Sequence, residues 1–286
     1  MTAPLPGPWV DPETIDPSPW TNNHGIVKFI EFPVRIPKMS HRAFHLYWQR
    51  HHSPNVMNAT GFSQFMRKYT SSHVYPSTVP GLPTHYQQTT PFEGAAEVWI
   101  NSLEEAGEWL GHPLYAELIQ PDEPHFIAQD GSVEVIIAKE ERVYAAQQEM
   151  NENGLVKLFL LMKRQNRLKH DEFHAGLSEH ARSLIREPSL RALLRKVVVS
   201  HRLREPWPAG MAFAEIDATL ELWFSSREDI ASFFTAGAYN SGIVDSEASL
   251  VDRQGVRAVA TKVHVVHDEF SFQSSTMQPF AFSWAD

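Results

Sequence analysis

The sequence predicts an α+β chain made of two successive β-α-β-β-α-β units whose sheets close on each other, and three observations carry that prediction. The first is internal repetition. At a constant offset of 129 residues, Val27, Lys28, Arg35, His41, Phe44, His45 and His51 meet Val156, Lys157, Arg164, His170, Phe173, His174 and His180. Self-similarity at a fixed spacing signals duplicated architecture. The second is its continuation. Arg67-Lys68 and His73 return as Arg195-Lys196 and His201, and Glu97-x-Trp99-x-x-Ser102 returns as Glu221-x-Trp223-x-x-Ser226. The third is size, since 286 residues suffice for two domains of about 110–140 residues, each with a core of its own.

The elements follow in order. Ile26 to Val34 reads as a strand, its end marked by Pro33 and Pro37. Ser40 is a suitable N-cap for a helix through His52, stopped near Pro54. Met66 to Val74 alternates as a second strand, and 76–91 is a proline-punctuated loop. Ala95 to Ile100 is a third strand, Ser102 caps a helix over Leu103 to Leu110, and Val133 to Ala138 closes the unit. The second unit runs Leu155–Met162, Lys169–Arg186, Lys196–Leu203, Ala218–Phe224, Arg227–Phe234 and Val256–His267. Two helices on one face of a four-stranded antiparallel sheet make a ferredoxin-like sandwich with its other, apolar face bare. Two such units in tandem can close their bare faces as an intrachain, pseudo-dimeric α/β barrel. The predicted boundaries are a proline-rich tail (1–24), a first domain (25–145), a linker (146–154), a second domain (155–268) and an aromatic tail (269–286).

Composition narrows the function classes. A formal charge of −9 argues against an electrostatic grip on nucleic acid. Cysteine is absent, which excludes disulfides, thiol catalysis and thiolate-ligated metals. No apolar run approaches the ~20 residues of a membrane span, and the first residues lack the layout of a signal peptide, so a cytoplasmic location is expected. Gly-rich phosphate fingerprints are missing as well, which leaves no nucleotide cofactor to expect. The expected partner is a hydrophobic small molecule, with a homodimer left open.

Several motifs resemble the EthD family. Asp171-Glu172-Phe173-x6-His180 is similar to its first helix, followed by Arg195-Lys196-x4-His201 and Glu221-x-Trp223. In the first half Phe44-x2-Tyr47-Trp48-x2-His51, Arg67-Lys68-Tyr69-x3-His73 and Glu97-x-Trp99 are the counterparts, with Arg42-Ala43 in place of the acidic pair. The resemblance implies a dimeric α/β-barrel fold and a pocket. The superfamily includes isomerases, polyketide cyclases, cofactor-free monooxygenases and haem-dependent relatives, so the reaction stays open.

The residues suggest their own chemistry. Phe44, Trp48 and His51 share a helix face at i, i+4, i+7, which sets a histidine beside an aromatic wall where it can exchange a proton at neutral pH. His73, Tyr69 and Arg67 share one face of the second strand, where His73 and Tyr69 can polarise a substrate oxygen. His180 and His201 are the equivalents in the second half, with Phe173 as their apolar wall. Glu97 and Glu221 share strand faces with Trp99 and Trp223 and complete the candidate substrate-binding set. The plainer readings are core histidines bonded to carbonyls, a tyrosine packed for its bulk, and glutamates paired with Arg67 and Arg195. His41-x3-His45 and His170-x3-His174 have a spacing metals accept, but no glutamate stands beside the first histidine and the face is expected to look partly outward. No metal and no cofactor are therefore expected. Gly176, Leu177 and Val197 replace Tyr47, Trp48 and Tyr69, which points to the first half as the active one. The expected activity is acid/base catalysis, as a dehydratase, cyclase or isomerase, on an aromatic or polyketide-like molecule. Its rivals are oxygen insertion into a phenol without cofactor and a non-catalytic binding role.

Overall fold

The computed structural model describes residues 25–76, 79, 81–87, 89–146, 151–203 and 215–270. The readings of the two tails, apart from Glu269 and Phe270, fall outside the described residues.

The alternation of apolar and polar residues produces eight strands: β1 Val27–Phe32, β2 Lys68–Val74, β3 Gly94–Ile100, β4 Glu134–Ala145, β5 Val156–Met162, β6 Leu194–Arg202, β7 Ala218–Phe224 and β8 Arg257–Asp268. They close into one antiparallel barrel in the order β1-β3-β2-β8-β5-β7-β6-β4. Residues 27–145 therefore contribute β4-β1-β3-β2, and residues 156–268 contribute β8-β5-β7-β6 in the same relative order. The two sets are stitched by β2 to β8 and by β4 to β6. A closed barrel leaves no sheet edge to protect. Helices α1 (His41–Tyr47), α2 (Ser53–Asn58), α3 (Thr60–Ser63) and α4 (Leu103–Leu110) cover the first set, and α5 (His170–Arg186), α6 (Pro188–Arg191), α7 (Arg227–Thr235) and α8 (Val244–Leu250) the second. No described helix is long and apolar enough to cross a membrane.

Ser40 and Ser102 cap α1 and α4 through the amides of Ala43 and Glu105, as their positions predict. The first helical segment departs from expectation. It continues past His52 to Asn58, and between Trp48 and His52 it opens into a π-turn whose Ser53 amide donates to the Trp48 carbonyl. Pro54 does not stop it. A proline has no N–H to donate and fits the first turn of a helix, and Pro54 occupies that position in α2.

The barrel interior also corrects the sequence reading. An apolar cluster of Ile30, Phe32, Phe92, Ala95, Phe159, Leu161 and Val259 fills part of it, but its centre is ionic. Lys28 bridges Glu97 and Glu221, each at 2.7 Å, and Glu140 at 3.1 Å, while Lys157 bridges Glu97 and Glu221, each at 2.6 Å. All five side chains are buried. Burial alone would lower the Lys28 pKa, but the carboxylates of Glu221, Glu97 and Glu140 outweigh it and hold it well above the ordinary value. Burial would likewise raise Glu221, yet Lys157 and Lys28 hold it down near 2. Outside this centre, Lys68 and Lys196 share Glu152 at 2.6 and 2.7 Å.

Candidate functional site

Strand alternation decides which side chains meet the helices. On β1 the outward set is Val27, Phe29 and Glu31, on β2 Tyr69, Ser71 and His73, and on β3 Ala96 and Val98. The pairing registers place Val135, Glu31, Ala96, Ser71 and His264 in one row across β4, β1, β3, β2 and β8. A row in the middle of a covered sheet should be fully buried. Here Glu31, Ala96 and His264 are only partly so, although they lie in central strands.

The reason is a divided core. Phe44 and Trp48 of the first helical segment pack with Phe126 and Ile127. Val27, Phe29, Val56, Phe62, Tyr69, Val98 and Trp109 form a separate cluster. Ala96 and Val133 border both. Solvent thus reaches the sheet between two apolar walls, and Glu31 stands in the gap.

Polar groups converge there. Burial, and then the Glu123 carboxylate, push the Glu31 pKa up to about 8. Burial also raises Glu123, which accepts a 2.9 Å hydrogen bond from the Tyr115 hydroxyl. The Tyr69 hydroxyl accepts from Trp48 Nε1 at 3.2 Å and lies 3.2 Å from Ser53 Oγ. Burial raises the Tyr69 pKa, so the hydroxyl keeps its proton. At the row's far side, Ser71 Oγ lies 3.1 Å from His264 Nδ1 and 3.3 Å from His73 Nε2. His73 Nδ1 in turn lies 2.7 Å from His45 Nδ1. Burial lowers His45 to about 4 and His73 well below its ordinary value, so both imidazoles are neutral at pH 7.

Trp48 closes over His73 with ring centroids 4.9 Å apart. That contact needs Gly94, because a Cβ there would fall 2.0 Å from the Ser72 carbonyl oxygen and 3.2 Å from the Trp48 ring.

The sequence-derived candidates divide sharply. Phe44, Trp48, Tyr69 and His73 come together as expected. His51 does not join them, since it is exposed and lies beside Tyr47, ring centroids 5.1 Å apart. The π-turn is the cause. One extra residue per turn advances the face, so His52 and Ser53 point inward instead. His52 Nδ1 meets Asp122 at 2.8 Å, and Tyr47 donates to the other Asp122 oxygen at 2.5 Å. His45, expected to look partly outward, is buried.

Glu97 and Glu221 lie inside the barrel, on the opposite sheet face from His73. Their partners are lysines rather than arginines. Arg67 pairs with Glu269 at 3.1 Å, and Arg195 donates to Ser225. In the second half His180 and His201 do not converge either. His180 meets Ser246 at 3.3 Å, whereas His201 Nε2 lies 3.1 Å from Glu141 and 3.3 Å from Ser178. Phe173 is part of a continuous core.

Glu31, Ser53, Ser71, Glu93 and His264 were missed. Glu31 carried a readable signal. It interrupts the apolar strand Val27–Phe32, and Leu160 stands at its repeat position 129 residues on.

Residues 36–130 match the family model described as the EthD domain. No curated protein matches the chain. Among solved structures, an anthrone oxidase-like protein is similar over 88% of this chain and 98% of its own, at 11% identity and a TM-score of 0.54. A candidate monooxygenase from Fusobacterium nucleatum is similar over 86% of this chain and 95% of its own, at 9% identity and a TM-score of 0.50. A dimeric protein of ferredoxin-like fold from Bacteroides fragilis matches 39% of this chain with 99% of its own, at 15% identity and a TM-score of 0.30. At these identities the likeness to the first two is one of fold.

Proposed function

We propose that the EthD domain matched at residues 36–130, completed by strand β1, is an acid/base site for a hydrophobic, oxygen-bearing aromatic or polyketide-like small molecule. The observation that carries the reading is Glu31. It is a carboxyl of pKa about 8 standing in a partly open row of the sheet, between two apolar walls. Perturbed acids in apolar clefts are the usual instruments of proton transfer near neutral pH.

The role first considered for His51 passes to Glu31. The ionised carboxyl takes a proton from the carbon beside a substrate carbonyl, and the electron pair moves to the carbonyl oxygen. Tyr69, its hydroxyl oriented by Trp48 and Ser53, donates a hydrogen bond to the enolate that forms. Glu31, now protonated, returns the proton to a departing hydroxyl, and water leaves. Phe44, Trp48 and Phe126 supply the apolar wall. The neutral His73–His45 pair holds the polar edge of the cleft through Ser71.

The same proposal covers the chain's architecture. Its two halves are tandem ferredoxin-like domains, 25–145 and 155–268, acting in the cytoplasm. The barrel closes within one chain, so no second copy is required to complete the cleft.

A second reading shares the first step. A phenol or an enolisable anthrone-type ring, once deprotonated by Glu31, is electron-rich enough to react with oxygen, the kind of chemistry for which the anthrone oxidase-like neighbour is named. The test is a panel of aromatic β-hydroxy ketones and polycyclic phenols, followed by absorbance and by an oxygen electrode. Loss of water without oxygen uptake, abolished in Glu31→Gln, is the expected result. Stoichiometric oxygen uptake would favour the second reading. Turnover undiminished in Glu31→Gln would sink both.

A further inference from the structure

A second cluster lies where the start of α1 meets the approach to β3. Ser40 caps the helix and sets His41 and His45 one turn apart on one face. Glu93, just before β3, has its backbone pinned on both sides. Its amide donates to the Pro33 carbonyl at 2.9 Å, and its carbonyl accepts from Val74 at 2.9 Å. Arg35 Nε holds Oε1 of its carboxylate at 2.8 Å. The other oxygen, Oε2, faces both histidines, at 2.5 Å from His41 Nδ1 and 3.3 Å from His45 Nε2. One ligand atom from each of the three residues lies within 4.8 Å of the other two.

We propose that His41, His45 and Glu93 bind a divalent transition metal ion of the zinc class. The donor set is two imidazoles and one carboxylate, a combination that suits zinc, cobalt or nickel and leaves a coordination position open. Around a tetrahedral ion with bonds of about 2.0–2.1 Å the ligand atoms sit roughly 3.4 Å apart, so side-chain rotations that widen the His41–Glu93 pair and draw in the widest pair, each by about 1–1.5 Å, fit the set to an ion. The surroundings resemble those of a built metal site. Ligating histidines are held by a partner on the other ring nitrogen, and His73 contacts His45 Nδ1 at 2.7 Å, which aims Nε2 at Glu93. His41 is partly exposed, which provides a way in. The glutamate that the sequence lacks beside His41 is supplied from 52 residues further along the chain.

The repeat provides an internal control. His170, His174 and Asp217 occupy the matching positions, but the carboxylate is one methylene shorter. His170 Nδ1 is 3.5 Å from Asp217 Oδ1, and His174 Nε2 turns to the Asp217 backbone carbonyl at 3.3 Å. Among the described residues the first half therefore forms such a site and the second does not.

The test uses the full chain, stripped with a chelator and titrated with Co2+ alone, then with Zn2+ as competitor. The expected result is one equivalent of Co2+, intense d–d absorption of low coordination number, displacement by Zn2+, and a rise in Tm on binding. His41→Ala, a partly exposed position where loss of the imidazole leaves the core intact, removes the absorption, as does Glu93→Gln. His73→Phe weakens binding by about 10- to 100-fold without removing a ligand. His170→Ala changes nothing. The proposal is overturned if wild-type protein gives no Co2+ spectrum, or if His41→Ala binds with wild-type stoichiometry and affinity.

Discussion

The two halves share their strand order and differ in what fills the space between sheet and helices. In the first half the middle row is Val135, Glu31, Ala96, Ser71 and His264. In the second it is Ala258, Leu160, Leu220, Val199 and Glu141. Leu160, Leu220 and Val199 are buried in one continuous core with Leu177 and Val197, which stand where Trp48 and Tyr69 stand in the first half. A residue of the first half helps to seal that core. Tyr86 packs into it and donates to Glu247 at 2.7 Å, a carboxylate that also accepts from Tyr239 at 3.0 Å. The same frame therefore serves stability in one half and holds an open polar gap in the other. Proteins commonly concentrate strain and unfavourable groups at the sites where they act.

That contrast can be broken by exchanging the row. Replacing Glu31 by the leucine of its counterpart is expected to lower turnover by about 10²–10⁴-fold, the usual contribution of a general acid/base group, while the protein stays folded. Turnover of the wild-type order in Glu31→Leu would end the assignment of the first half as the active one.

The shared ionic centre should behave in the opposite way. Lys157→Met leaves the buried carboxylates of Glu97, Glu221 and Glu140 with Lys28 alone and is expected to cost about 3–5 kcal/mol of stability, read by denaturant unfolding. A loss below roughly 1 kcal/mol would mean that the barrel centre relaxes and admits water.

Two pH effects of opposite sign sharpen the comparison further. Glu31 holds its proton more tightly when folded, with a pKa of about 8. Its contribution is therefore greatest below about pH 4.5 and is lost as the pH rises toward 8. His45 is depressed to about 4, so its contribution is present above about pH 6.5 and is lost as the pH falls through 4. Thermal unfolding of wild type against Glu31→Leu should show the variant gaining on wild type between pH 5 and 9. Parallel curves would contradict the raised acidity. The smallest effect is expected at His51. As an exposed side chain its removal in His51→Ala should change stability by no more than about 0.5 kcal/mol and leave turnover intact.

The barrel was legible because its signals are local and repeated. Alternating strands, the Ser40 and Ser102 caps, and the return of Lys28 as Lys157 need no tertiary knowledge. The face of the first helical segment was not legible beyond Trp48. A single π-turn changes the phase, and nothing in Trp48 to Pro54 distinguishes i→i+5 from i→i+4 bonding. The ionic barrel centre was missed for another reason. Lys28, Glu97, Lys157 and Glu221 look like surface charges on four strands until closure brings them within 3 Å. The tie of Glu93 to His41 and His45 spans 52 and 48 residues and depends on how the chain enters β3. Glu31 could have been found by reading the repeat for its differences rather than its matches.

The most direct test of the central claim is binding of an aromatic phenol, 1-naphthol, to three full-length proteins by calorimetry. The account predicts one site in wild type, its loss in Ala96→Leu, which fills the gap as Leu220 does, and its retention in Leu220→Ala. Undiminished binding to Ala96→Leu would place the ligand elsewhere and contradict the assignment of the first half as the open one.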